Sequence, residues 1–130
     1  MKTFLYRICS LFFIFIAVNA CKDKIPDAIP IEFAETSGTG ITEFSVALSS
    51  AITRSGSQEI SDHGFAVSAT NESPGIADAA IKKGAVDMAT PTPINFSGTL
   101  SELEANTEYF IRPYAVTAAA THFGTTLKIK

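Results

Sequence analysis

Cysteine is nearly absent. The chain has only Cys9 and Cys21, too few for the disulfide framework of a small secreted domain. Runs of Lys and Arg are absent beyond the pair Lys82–Lys83, and the net charge is −3. A phosphate-backbone partner needs a basic patch, so no nucleic acid is expected. No phosphate-binding loop is present. Ser37-Gly38-Thr39-Gly40 has two glycines but no following Lys-Ser/Thr, which makes it a turn. There is no Gly-x-Ser-x-Gly elbow. The 2 histidines are His63 and His122. With Asp62 they give at most three metal ligands, on separate segments, so the expectation is no metal and no cofactor. No apolar stripe runs through three helical turns. At 130 residues the chain has room for one ordinary domain and excludes a large multidomain enzyme. The expectation is a chain that is not an enzyme.

What is present begins with a leader. Lys2 and Arg7 are the only charges in the first twenty residues, and Ile8 to Val18 is an apolar run. Such a run suits a signal-peptide core of roughly 7–15 residues and falls short of the about 20 needed to span a bilayer. Residues 1–20 are therefore read as a cleaved, helical signal peptide. Val18-Asn19-Ala20-Cys21 resembles the lipobox of bacterial lipoproteins. That resemblance implies acylation of the Cys21 thiol and a membrane partner through the lipid. An ordinary secretory cut beside a chance cysteine is the alternative. Acylation also removes a free thiol from an oxidising compartment. Residues 21–30 carry charges and two prolines and read as a tether. The same resemblance implies the outer membrane, since Lys22 rather than an aspartate follows the cysteine. The Lys22-Asp23 step resembles signals that send some lipoproteins to the cell surface.

From Ile31 onward apolar residues alternate with polar ones. Phe44, Val46 and Leu48 share a parity, as do Ile94, Phe96 and Leu100, then Tyr109, Ile111 and Ala115, then Leu127 and Ile129. Period two marks strands with one buried face, and Gly- and Ser-rich turns separate them. The exception is a long connection over 70–93. Within it Ile76 to Lys83 could form two turns of helix, or Ala85 to Met88 a short edge strand. The pattern predicts an all-β antiparallel sandwich of about seven strands over 31–130.

Leu103-Glu104-Ala105-Asn106-Thr107-Glu108-Tyr109-Phe110-Ile111-Arg112-Pro113-Tyr114-Ala115 resembles the turn and penultimate strand of fibronectin type III domains, immunoglobulin-like sandwiches. It is closest to a branch found in Gram-negative surface lipoproteins. His63-Gly64-Phe65-Ala66-Val67-Ser68 and the stretch from Phe123 to Ile129 resemble that branch's third and last strands. The resemblance implies a structural corner in which the Tyr109 hydroxyl bonds backbone in the preceding turn and Leu103 plugs the same end. It also implies that Pro113 interrupts a central strand, where a bulge or a missing partner must follow.

Several sites are weighed on this frame. Phe110, Arg112 and Tyr114 have the parity opposite Tyr109. They are either a bare sheet face able to hold a protein or carbohydrate partner, or a face covered by the 70–93 connection. Asp62, His63 and His122 would sit at one pole, as structural and solvated side chains or as a weak metal or pH-sensitive site. Glu102, Glu104 and Glu108 at the other pole are solvated acids or a carboxylate pair for glycoside chemistry. The loop Thr117–Thr121 has no Arg-Gly-Asp. The tether would bring the pole holding that loop toward the membrane, leaving the sheet face or the opposite pole for a partner. The functional expectation is a lipid-anchored envelope module that binds or adheres. The alternative is a structural or assembly accessory.

Overall fold

The structure, a computed structural model, describes residues 29–130. The leader, Cys21 and the tether up to residue 28 lie outside the described residues. Nine strands form among the described residues: β1 (Glu32–Phe33), β2 (Ser37–Thr39), β3 (Ser45–Arg54), β4 (Asp62–Ser68), β5 (Ala79–Lys82), β6 (Ile94–Ser101), β7 (Tyr109–Val116), β8 (Thr121–Phe123) and β9 (Leu127–Ile129). All pair antiparallel, and these residues contain no helix.

Two sheets result. In the first, β3 is central, with β6 on one side and both β1 and β2 on the other. In the second the order is β5-β4-β7, and β8 and β9 share the far side of β7. The first and last positions are each filled by two short strands, so nine strands fill the seven positions of the expected sandwich. Val46, Leu48 and Ile52 from β3 pack with Phe65 and Val67 from β4 and with Ile111 and Ala115 from β7. Phe65 and Phe96 join the sheets, their ring centroids 5.0 Å apart. Each such side chain contributes about 1.5–3 kcal/mol by leaving water.

Pro113 explains why the last position is split. The register between β4 and β7 runs unbroken through the pair Phe65–Pro113. On the other side, Gly124 donates its N–H to the Pro113 carbonyl at 2.9 Å. The N–H and C=O of one strand residue point the same way, so the donor that proline lacks would also face the last strand. There the strand stops pairing after Phe123 and resumes at Leu127. The missing donor meets a missing partner, with no bulge on the β4 side.

Three expectations are corrected. Ser37–Thr39, expected as a turn, pairs with Ala47–Ser49 as strand β2. Phe44 is 64% exposed. It belongs to a turn before β3, where the Thr42 hydroxyl accepts the N–H groups of Phe44 and Ser45. The helical option over Ile76–Lys83 is also replaced, because Ala79–Lys82 pairs with β4 as an edge strand. The Asp78 carboxylate accepts the Gly75 N–H and an Asn71 side-chain N–H, closing a loop where a helix would have run on. The other option, a strand over Ala85–Met88, reduces to a single bridge between Val86 and Ile60.

At Gly124 an added Cβ would lie 2.5 Å from Pro113 Cγ and 2.9 Å from Phe33 Cβ. Gly124→Ala is expected to cost about 1–3 kcal/mol through overpacking, read as a lower urea midpoint with an unchanged slope. An unchanged midpoint would contradict the close approach.

Candidate functional site

The cross-strand register defines the outer face of the second sheet. Phe110, Arg112 and Tyr114 on β7 stand opposite Ser68, Ala66 and Gly64 on β4. Tyr114 also pairs with Phe123 on β8, and Phe110 with Lys128 on β9. The sequence pattern places these side chains outward, and the structure agrees. Their exposure is another matter. Tyr114 is fully buried and Phe110 is 9% exposed, so the bare aromatic platform is corrected to a covered one.

Two contacts close the face. The Arg112 Nε–H donates to the Pro74 carbonyl at 2.6 Å, and its Nη2 donates to the Ser73 carbonyl at 3.2 Å. The guanidinium carbon lies 3.7 Å from the centre of the Phe123 ring, a cation–π stack. Ser73 and Pro74, at the start of the 70–93 connection, are thus drawn to the sheet, and Pro74 is fully buried. Loss of water around Arg112 lowers its pKa, while carbonyl acceptors and an aromatic ring take the place of that water.

Tyr114 closes the other end. Gly64 stands opposite it on β4. A side chain at Gly64 would collide with the Ile81 carbonyl. The Tyr114 hydroxyl donates to Asp62 Oδ2 at 2.9 Å. Asp62 Oδ1 accepts the N–H groups of His63 at 2.9 Å and Gly84 at 3.0 Å. One carboxylate therefore ties β4, β7 and the end of β5 together. Burial, then the Asp62 hydrogen bond and charge, push the Tyr114 phenol well above its ordinary range.

His63 is committed as well. It faces the core, 7% exposed. Its Nδ1–H donates to the Gly84 carbonyl at 2.6 Å, and its ring meets Phe96 edge-on, centroids 5.1 Å apart. His63 and His122 flank Ala115 from either side, two strand spacings apart, roughly 9–10 Å. Asp62 points to the opposite face. The three do not converge, and among the described residues no group of three His, Cys, Asp or Glu does. Thr117 closes its loop on itself, bonding Ala120 through both backbone and hydroxyl.

The pole at the start of β3 is different. The Glu104 N–H donates to the Tyr109 hydroxyl at 2.9 Å, and Leu103 is buried beside it. The Leu103 N–H donates to the Phe44 carbonyl. A groove of about 670 Å³ opens between Ile41, Leu103, Tyr109 and Ile129. Ile41 is 57% and Phe44 64% exposed, with Phe44 in the turn that Thr42 and Ser45 close and Ile41 just before it. Glu43, Glu102 and Glu104 are exposed around it, and Glu108 pairs with Lys128 at 3.0 Å. Sequence parity assigned Phe44 to the core. The Thr42-x-x-Ser45 spacing, which suits a side-chain-closed turn, was the signal that placed it outside.

No family model and no curated protein matches the sequence. Solved structures share the fold. The sensor domain of the anti-sigma factor RsgI4 from Pseudobacteroides cellulosolvens matches with a TM-score of 0.56 at 14% identity, covering 78% of this chain and 93% of that one. A myokine matches with a TM-score of 0.52 at 14% identity, covering 78% of this chain and 96% of that one.

The folded state holds the Tyr114 proton more tightly than the unfolded chain, whose tyrosines titrate near 10. Above that pH the unfolded state binds fewer protons, so stability falls as pH rises, and is intact below it. In an ultraviolet titration Tyr114 is expected to ionise later than an ordinary phenol, and Tyr114→Phe to lose that late step. Identical curves for the two proteins would contradict the buried bond.

Proposed function

We propose that this chain is a lipid-anchored, non-enzymatic binding module of the outer membrane, built on a fibronectin type III-like sandwich. Its partner is a protein, held at the pole of Ile41 and Phe44. The observation that carries this reading is the exposure of two large apolar side chains on a turn fixed by hydrogen bonds. Apolar anchors inside a polar rim are what protein interfaces use. The surrounding Glu43, Glu102 and Glu104 suit a partner with Lys or Arg beside its own apolar contact. The pole lies at the far end from where the chain enters, since Glu32 of β1 pairs with Arg54 at the other end of β3. The bonded Tyr109 hydroxyl and the strand order support the family resemblance. The fold shared with a sensor domain is in keeping with a recognition role.

A second reading, a structural accessory of an envelope complex, is favoured by the burial of Phe110 and Tyr114 and by the bonds of Arg112 to the connection.

A photo-crosslinking residue at position 44 of the full chain in cells is expected to give a discrete adduct. The adduct should be lost with Glu43→Lys and Glu104→Lys together, while the melting temperature stays within a degree or two. Adducts from position 119 but not from 44 would contradict the proposed pole. Adducts with other subunits of one envelope complex would favour the accessory reading. Lipid labelling that depends on Cys21, and protease removal of the domain from unbroken cells, test the anchor and its side.

A further inference from the structure

The four free edges of the two sheets are not alike. The edge made by β1 and β2 is interrupted between Phe33 and Ser37 and carries Glu32 and Glu35. The edge made by β8 and β9 is interrupted at Gly124–Thr126 and carries Lys128. The β5 edge is four residues long and ends in Lys82–Lys83. Short length, breaks and charge are the devices that prevent a strand edge from pairing with another chain. β6 has none of them. It is eight residues, Ile94-Asn95-Phe96-Ser97-Gly98-Thr99-Leu100-Ser101, with no charge and no proline, and its register with β3 is continuous. Among the described residues no strand pairs with its other edge.

Which backbone groups lie on that edge follows from the ladder. The Ala34 N–H donates to the Ala51 carbonyl, so odd-numbered residues of β3 direct their backbone toward β1 and β2. Even-numbered ones therefore face β6. Their partners there are Ile94, Phe96, Gly98 and Leu100. Asn95, Ser97, Thr99 and Ser101 are left with every N–H and C=O pointing outward.

We propose that this edge is a self-association site, occupied by β6 of a second copy of this chain in antiparallel register, with Gly98 of each copy at the two-fold axis. That register sets Asn95 against Ser101 and Ser97 against Thr99, and it uses all four outward-facing residues of both strands. The neighbouring register, centred on Ser97, sets Ser101 against Pro93, which has no N–H to give. The facing side chains are hydroxyls and one amide, which pair well across strands. No charge opposes another. Two first sheets then become one continuous sheet. Antiparallel pairing sets the points of chain entry at opposite ends, so a pair in one membrane lies with its strands along the surface. The inference stands on residues separate from the Phe44 pole and holds or fails without it.

The test uses the full-length chain matured in cells and extracted in mild detergent, with mass read by sedimentation. The wild type is expected to have twice the mass of one chain. Thr99→Lys and Ser97→Pro should both be monomeric. The proline removes an N–H that points away from β3, so the fold is kept, checked by circular dichroism. Ala47→Lys, on the exposed face but off the edge, should remain a dimer. Two differently tagged chains, one Ser97→Cys and one Thr99→Cys, should form a mixed disulfide when co-expressed. A monomeric wild type would overturn the proposal. So would a dimer that survives both edge variants, or cross-linking with no preference for the mixed pair.

Discussion

A guanidinium on the outer face of a sheet must find acceptors as it loses water, and Arg112 finds them within its own chain. The Pro74 and Ser73 carbonyls take its protons and the Phe123 ring takes its face. Much of the molecule's surface follows from that. The connection leaving β4 is held to the second sheet at Ser73 and Pro74, and Pro74, Phe110 and Tyr114 are all buried. Once covered, the Tyr114 hydroxyl needs a partner, and an unpaired one would cost about 1–3 kcal/mol. Asp62 supplies it while also fixing the backbone of His63 and Gly84.

The two outer faces therefore differ in kind. The second sheet is sealed by the chain itself. The first exposes small hydroxyl side chains such as Ser49, Ser97 and Thr99, and it ends on the uncharged edge of β6. What the sandwich leaves exposed lies at its margins: Ile41 and Phe44 at one pole and the uncharged edge of β6, which no described strand pairs. Loops carry function because a rigid scaffold positions them, and here the scaffold has used its aromatic face for its own closure.

The sheet architecture was readable where one side of a strand is buried. Val46 and Leu48, Ile111 and Ala115, and Phe96 all announce their side by period two. Pro113 announced an interruption, and the structure placed it opposite the break between β8 and β9. The corner at Leu103 and Tyr109 was expected from the resemblance to fibronectin type III domains, and the Glu104 N–H meets the Tyr109 hydroxyl. The rest was not local. Parity tells which side Arg112 and Tyr114 occupy and nothing of their partners, which are the Pro74 carbonyl for one and the Asp62 carboxylate for the other, both far off in sequence. Phe44 has the parity of β3 but lies beyond its first residue, and only the Thr42 turn excludes it. The stretch Ile76–Lys83 satisfies a helix and a strand alike, and pairing with β4 decides between them. His63 was legible as a strand residue, but its contact with Gly84 was not, because twenty-one residues separate them.

Closure of the second sheet by Arg112 is most directly tested by nuclear Overhauser contacts in the isotopically labelled protein. The expected result is contacts between the Arg112 Hε and the Pro74 ring, with that Hε slow to exchange with water. A fast-exchanging Arg112 Hε with no contact to Pro74 would contradict the account and return Phe110, Arg112 and Tyr114 to the solvent as an open aromatic face.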